Sequence, residues 1–170
     1  MGGWRPPLIM VDRINDYTYG PKGAIRVIKH VTYNESYMPG HFPGNPVMPG
    51  AIISEVFGQA SEYFSFLTDI CDIYRERHNI NLQSLRDICH SLKDEKLRAI
   101  IRARRAQVQG VLAAQNLKFK DMACPGDTIE AVSQLVFSDS NGFKHYSVYA
   151  HVGKRLISKG TIINYRETKQ

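Results

Sequence analysis

Apolar side chains recur at helical spacing between Gly50 and Asp69, and this pattern predicts a long, largely buried helix. The stripe consists of Ile52, Ile53, Val56, Phe57, Ala60, Tyr63, Phe64 and Leu67. Ahead of the helix, a mostly apolar segment at 8–14, a turn signal at 20–23 and an alternating segment at 24–31 predict an opening β-hairpin.

The second half of the chain predicts a helical hairpin followed by an antiparallel sheet. Charged, helix-favouring sequence runs from Cys71 to about Gln107, with a break near Lys93. Turn signals separate four strand-like segments, at 108–119, 128–138, 144–152 and 155–165. One buried helix and about six antiparallel strands predict an α+β fold in which the sheet wraps around the helix, with 71–107 as a helical insertion.

Composition limits the class of protein. With 170 residues, 43% of them hydrophobic and 22% charged, the chain is predicted to form a single globular domain over residues 1–170. The three cysteines lack C-x-x-C spacing and the histidines are scattered, so we expect neither a disulfide framework nor a metal site. The sequence contains no apolar stretch long enough for a signal peptide or a membrane span, and we therefore expect a cytoplasmic protein.

Positive charge is concentrated on one predicted helix. The chain has a formal net charge of +6, and Arg102, Arg104 and Arg105 lie close together on this helix. Such a cluster fits either an acidic partner or a solvated helix face, and both interpretations stay open. Nucleic acid is the less favoured partner, because aromatic residues are not interleaved with the arginines.

The loop before the long helix, together with the first turns of that helix, carries groups suited to acid–base chemistry. Prolines 43, 46 and 49 stiffen the loop around His41. Glu55 and Gln59 lie one turn apart, and Gly50 offers an N–H at the helix N-terminus. A carboxyl removed from water retains its proton more readily, so Glu55 could serve as the acid and His41 as the base.

Together these groups predict one reaction. A base next to a carbonyl compound removes an α proton, a helix N–H stabilises the charge on the oxygen, and an acid protonates a departing hydroxyl. That reaction is the dehydration of a 3-hydroxyacyl compound. Each residue taken alone also has a structural explanation, because a histidine in a Pro/Gly loop is commonly structural and a helix glutamate commonly lies at the surface.

Four sequence motifs lie outside the segment 71–109. They are Leu8-Ile9-Met10-Val11-Asp12-Arg13, Asn34-Glu35 followed by Gly40-His41-Phe42-Pro43-Gly44, Pro46-Val47-Met48-Pro49-Gly50 through Glu55 and Gln59, and Phe119 with Pro125-Gly126-Asp127. These motifs resemble those of the (3R)-hydroxyacyl-acyl carrier protein dehydratases, a family with the hotdog fold. The resemblance implies a hotdog homodimer, or an oligomer of such dimers, in which His41 of one subunit faces Glu55 of the other.

The resemblance also implies a role for each matching residue. His41 is the base, Glu55 the acid and Gln59 the support of the carboxyl, while the Gly50 N–H binds the thioester oxygen and the Val47 carbonyl orients the imidazole. The implied protein is a hydro-lyase of fatty acid or polyketide-type biosynthesis without a cofactor of its own, since its substrate is carried on the phosphopantetheine of acyl carrier protein. Because acyl carrier proteins are acidic, Arg102, Arg104 and Arg105 are candidates for binding the carrier.

The chain departs from the family pattern in two places. Val56 and Gly58 stand where the family usually has alanine, and the segment 71–109 is longer than the family's connection. Pro46-Val47-Met48 is closer to the branch of the family that also isomerises double bonds, but that branch has aspartate at the position of Glu55, and the glutamate favours the branch that only dehydrates. Two other functions stay open: a non-catalytic hotdog subunit that binds acyl carriers, and an acyl thioesterase on the same fold.

Overall fold

Six antiparallel strands form one sheet that wraps around a long helix in the computed structural model, which describes residues 4–168. The strands are β1 Arg13–Thr18, β2 Ala24–His30, β3 Val108–Phe119, β4 Thr128–Ser138, β5 Phe143–Val152 and β6 Arg155–Thr168, in the spatial order β1-β2-β4-β5-β6-β3. The predicted α+β architecture is therefore confirmed. Within residues 4–168, no helix is both long enough and apolar enough to cross a membrane.

The central helix, α1, extends over Gly50–His78 and is longer than predicted. The predicted end at Asp69 was wrong because Ile70 and Ile73 continue the buried stripe. Asn79 ends the helix in the left-handed conformation, with φ of 55°. The first part of the predicted helical hairpin is thus the last part of α1.

The rest of the insertion forms two short helices, α2 Leu85–Ser91 and α3 Glu95–Ala106. The break between them lies near Lys93, as predicted. Ser84 and Asp94 cap the two helices, because each side chain accepts a backbone N–H of the following first turn. Both helices pack against α1 through buried apolar side chains, namely Ile88, Leu97 and Ile101.

The opening hairpin is shifted relative to the prediction. Its first strand is 13–18 and not 8–14, whereas its second strand lies close to the predicted position. Met10 and Val11 are buried against the core, but their N–H groups bond to a side chain of α1 and not to a neighbouring strand. Apolar sequence alone does not distinguish these two modes of burial.

The four later strands match the prediction closely, and β3 forms one edge of the sheet. The bounds of β3 and β4 agree with the predicted 108–119 and 128–138, and β6 continues three residues beyond Tyr165. Three large apolar side chains on β3 are exposed: Val111, Leu112 and Phe119. One long edge of the sheet is therefore both unpaired in this chain and apolar.

Candidate active site

A short loop before α1 holds His41 through backbone hydrogen bonds. A single 3-10 turn, Met38–Gly40, leads into the loop. The Val47 N–H donates to the His41 carbonyl at 2.7 Å, and the Met48 N–H donates to the Ala123 carbonyl at 2.8 Å. The loop is thereby tied both to itself and to the segment that precedes β4.

The imidazole of His41 is oriented by one contact. Its Nδ1 lies 2.9 Å from the carbonyl oxygen of Val47. Because a carbonyl oxygen can only accept, Nδ1 carries the hydrogen, and the neutral ring then has its lone pair on Nε2. His41 is half-buried, so Nε2 can receive a proton from a ligand.

Gln59 is fully buried and connects α1 to the N-terminal segment 8–11. Its Oε1 accepts the N–H of Met10 at 2.9 Å and that of Val11 at 3.3 Å. Its Nε2 donates to Glu55 Oε1 at 2.8 Å and also to the Leu8 carbonyl. The amide therefore fixes the half-buried carboxyl of Glu55 in one orientation.

Removal of the Gln59 amide is expected to destabilise the protein. Gln59→Leu leaves three backbone groups of segment 8–11 without their partner. Two of them, the N–H groups of Met10 and Val11, are buried, and each unpaired buried group costs about 1–3 kcal/mol. We expect the free energy of unfolding, measured by urea denaturation, to fall by at least about 2 kcal/mol. The matched control is Gln134→Leu, because within residues 4–168 that exposed amide makes a single long bond, to the Lys22 carbonyl. Equal losses in the two variants would show that segment 8–11 does not depend on Gln59.

Helix α1 begins at Gly50, beside a depression of about 450 Å³. The Gly50 N–H has no acceptor within residues 4–168, as is usual for the first residue of a helix. A Cβ at this position would lie 2.9 Å from the ring of Phe119, so glycine permits the close approach of that ring. Ser54 and Gln115 also line the depression, and the Ser54 hydroxyl donates to Gln115 Oε1.

The structure separates the three candidate carrier-binding arginines. Arg102 and Arg104 are exposed on α3, and among the described residues the ion-pair partner of Arg102 is Glu95, at 3.5 Å. Arg105 is largely buried and forms an ion pair with Glu62 of α1. Its guanidinium therefore already has a partner in the contact between α3 and α1.

The sequence prediction missed three contributors to this site: the backbone of segment 8–11, Phe119 as the cover of Gly50, and the pair Ser54–Gln115. The sequence offers one indication of the pair Ser54–Gln115. Ser54 is a polar residue that directly follows Ile53 in the apolar stripe. As described, the chain supplies an oriented imidazole, an oriented carboxyl and an unbonded helix N–H, and no hydrogen bond joins His41 to Glu55 within residues 4–168. Such groups, where they face one ligand, can transfer protons to and from a polarised carbonyl compound.

Sequence comparisons match the loop around His41 and the first turns of α1. A family model described as a FabA-like domain matches residues 4–86. The chain is similar to the 3-hydroxyacyl-[acyl-carrier-protein] dehydratase FabZ of Wolbachia pipientis wMel, with 29% identity over 156 residues, which are 92% of this chain and 84% of the relative. The FabZ of Ehrlichia chaffeensis is 27% identical over 158 residues, 92% of this chain and 83% of the relative. That of Bordetella petrii is 46% identical over 65 residues, 38% and 42% of the two chains.

Solved structures with the same architecture confirm the expected hotdog fold. The dehydratase heterocomplex ApeI:P of Xenorhabdus doucetiae matches with a TM-score of 0.62 at 11% identity, over 98% of this chain and 88% of that chain. The fluoroacetyl-CoA thioesterase FlK matches with a TM-score of 0.52 at 14% identity, over 88% of this chain and 89% of that chain. Similarity at such low identity supports only a shared fold, and this fold occurs in enzymes that catalyse different reactions.

Proposed function

We propose that this chain removes water from (3R)-3-hydroxyacyl groups carried on acyl carrier protein and forms trans-2-enoyl thioesters, because a FabA-like family model matches residues 4–86 and FabZ dehydratases are similar to the chain over most of its length. It is a hydro-lyase of fatty acid or polyketide-type biosynthesis, and we place it in the cytoplasm. The observation that carries this proposal is the pair of oriented groups: His41 held by the Val47 carbonyl, and Glu55 held by Gln59.

The proposed reaction is a pair of proton transfers. His41 Nε2 takes a proton from C2 of the thioester, and the Gly50 N–H stabilises the negative charge that develops on the thioester oxygen. Glu55 gives a proton to the 3-hydroxyl, the C3–O bond breaks, and water leaves. The proton on His41 then returns to Glu55, which restores both groups. The reaction therefore needs no oxidant or reductant, and no cofactor other than the phosphopantetheine that carries the acyl group.

The unpaired edge of the sheet supports a homodimer or an oligomer of dimers. A long, apolar edge strand in a soluble protein needs a cover, and β3 exposes Val111, Leu112 and Phe119. A second copy of β3 can pair with it in an antiparallel direction and cover both edges at once. Because Phe119 packs on Gly50, such pairing brings the partner close to the loop and the start of α1, where His41 of one subunit is proposed to face Glu55 of the other.

We propose that Arg102 and Arg104 attract the acidic carrier, whereas Arg105 stabilises α3. Both surface arginines are exposed, and Arg102 has only a weak partner in Glu95. Exposed charges of one sign increase the rate of encounter with an oppositely charged protein, and salt reduces this effect.

Reversal of these two charges is expected to affect only carrier-bound substrates. In the double variant Arg102→Glu and Arg104→Glu, we expect kcat/KM to fall about tenfold at low salt with acyl carrier protein substrates, and less at high salt. With a short pantetheine thioester, kcat/KM stays unchanged. The matched control reverses two exposed turn residues, Lys22→Glu and Lys154→Glu, with the same change in net charge. If both double variants behave alike, α3 is not the carrier surface.

Product identification from one 3-hydroxyacyl thioester tests the reaction itself. A dehydratase gives the enoyl thioester with loss of one water, a thioesterase gives the free 3-hydroxy acid, and a non-catalytic subunit returns the substrate. Mass spectrometry separates the three outcomes. The dehydratase outcome is favoured, because the relatives that span most of this chain are named dehydratases.

A further inference from the structure

The depression beside Gly50 is lined by polar as well as apolar side chains. Ser54 follows Gly50 by one helical turn, about 6 Å along the axis. It is buried, and its hydroxyl bonds across the depression to the side chain of Gln115 on β3. The Gln115 amide also has two N–H donors, and the Ser54 oxygen can still accept.

The polar character continues along the inner face of the sheet. Gln115 pairs with Ile162 on β6, and the next residue of β6 on that face is Asn164. Asn164 is only 6% exposed, and its side-chain oxygen has no hydrogen-bond partner within residues 4–168. A buried amide oxygen without a partner is uncommon, and it indicates a group that is supplied by a ligand or by water.

An ion pair closes the far end of this path. Glu62, two turns beyond Ser54 on α1, lies so close to β3 that a Cβ at Gly110 would be 2.5 Å from its carboxylate. Arg105 of the insertion and Arg166 of β6 both bond to that carboxylate. A plain hydrocarbon entering between α1 and β3 therefore meets polar groups first and charged groups at the end.

We propose that this depression selects 3-hydroxyacyl thioesters that carry a second hydroxyl, on C5, over plain alkyl chains; the proposal rests on the dehydratase function given above. With the thioester oxygen at the Gly50 N–H, C5 lies four bonds from the carbonyl carbon, about 5 Å along an extended chain, and so reaches Ser54 and Gln115. A methylene at that point removes water from both side chains without replacing its hydrogen bonds. A hydroxyl both donates and accepts there, and sites built for a hydroxyl discriminate strongly against analogues that lack it.

Two matched substrates test the preference. We expect kcat/KM to be at least about tenfold higher for 3,5-dihydroxyhexanoyl-pantetheine than for 3-hydroxyhexanoyl-pantetheine. Ser54→Ala and Gln115→Leu are each expected to reduce this ratio towards one. The control is Ser61→Ala, which removes another buried hydroxyl of α1 that bonds to Ser133 on β4, away from the depression; its ratio should equal that of the unmodified protein. A ratio at or below one in the unmodified protein, or a ratio that Ser54→Ala and Gln115→Leu leave unchanged, overturns the proposal.

A binding measurement separates this proposal from the dehydratase function. Calorimetry with the two corresponding amide analogues, in which nitrogen replaces the thioester sulfur, measures the preference without turnover. Tighter binding of the dihydroxy analogue, lost in Ser54→Ala, supports the C5 hydroxyl site even if neither thioester is dehydrated. Absence of dehydration would contradict only the dehydratase function. Equal affinities overturn the hydroxyl site even where dehydration is observed.

Discussion

Replacement of His41 by alanine is expected to lower kcat/KM for dehydration by about 10²–10⁴-fold, because the proton on C2 then has no positioned base. Glu55→Gln is expected to cause a loss of similar size, since an amide cannot protonate the departing hydroxyl. Formation of the enoyl thioester from a 3-hydroxyacyl-pantetheine measures both losses. Both side chains are half-buried, so circular dichroism and the melting temperature should stay close to those of the unmodified protein.

Mixing the two inactive variants tests whether the site is shared between subunits. In a mixed dimer, the intact His41 of one subunit faces the intact Glu55 of the other, so one of its two sites is complete. Random exchange of subunits therefore restores roughly a quarter of the original activity per site. The variants kept apart are the control and stay inactive. If exchanged mixtures also stay inactive, His41 and Glu55 do not act across a subunit contact, and the proposed dimer site is wrong.

The elements that could be predicted from sequence are those with a local pattern. The bounds of β3 and β4 follow from runs of strand-forming residues between turn signals, and the start of α1 follows from Pro49-Gly50. The position of β1 could not be predicted in the same way. The segment 8–11 is as apolar as a strand, but its backbone partner is Gln59, which lies 49 positions from Met10 along the chain.

The same distinction applies to the candidate site. The contact between His41 and the Val47 carbonyl joins residues six positions apart, within a motif that resembles the family pattern. The pair Ser54–Gln115 joins residues 61 positions apart and is formed only when β3 folds against α1. No periodicity in the sequence encodes that contact, although it forms part of the wall of the acyl site proposed above.

The cluster of arginines shows how the fold divides one sequence feature into two roles. On α3, Arg102 and Arg104 face solvent, whereas Arg105 points to α1 and bonds to Glu62 together with Arg166 of β6. The insertion is thus attached to the hotdog core by a shared carboxylate as well as by apolar side chains. Charge counting alone assigns all three arginines to the surface.

Loss of this shared carboxylate is expected to have the largest effect on stability. Glu62 is 6% exposed, and it pairs with Arg105 at 19% and Arg166 at 14% exposure. Burial and the nearby Arg166 lower the pKa of Lys144, whereas the carboxylates of Asp69 and Glu62 raise it, so Glu62 is one of the groups that compensate these cations. After Glu62→Gln, Asp69 still pairs with Arg166, but Arg105 loses its carboxylate partner.

We therefore expect Glu62→Gln to lower the free energy of unfolding by about 3–5 kcal/mol, since one partner of a buried ion pair is removed and the other charges stay buried. Urea denaturation at one fixed protein concentration measures the change, because subunit association contributes to the stability of an oligomer. Glu95→Gln is the matched control: its exposed carboxylate pairs with Arg98 at 42% exposure and with Arg102 at 70% exposure, and removal of such surface pairs costs about 1 kcal/mol or less. Similar losses in the two variants would mean that water reaches the arginines around Glu62, and the insertion would then be held on α1 by its apolar side chains alone.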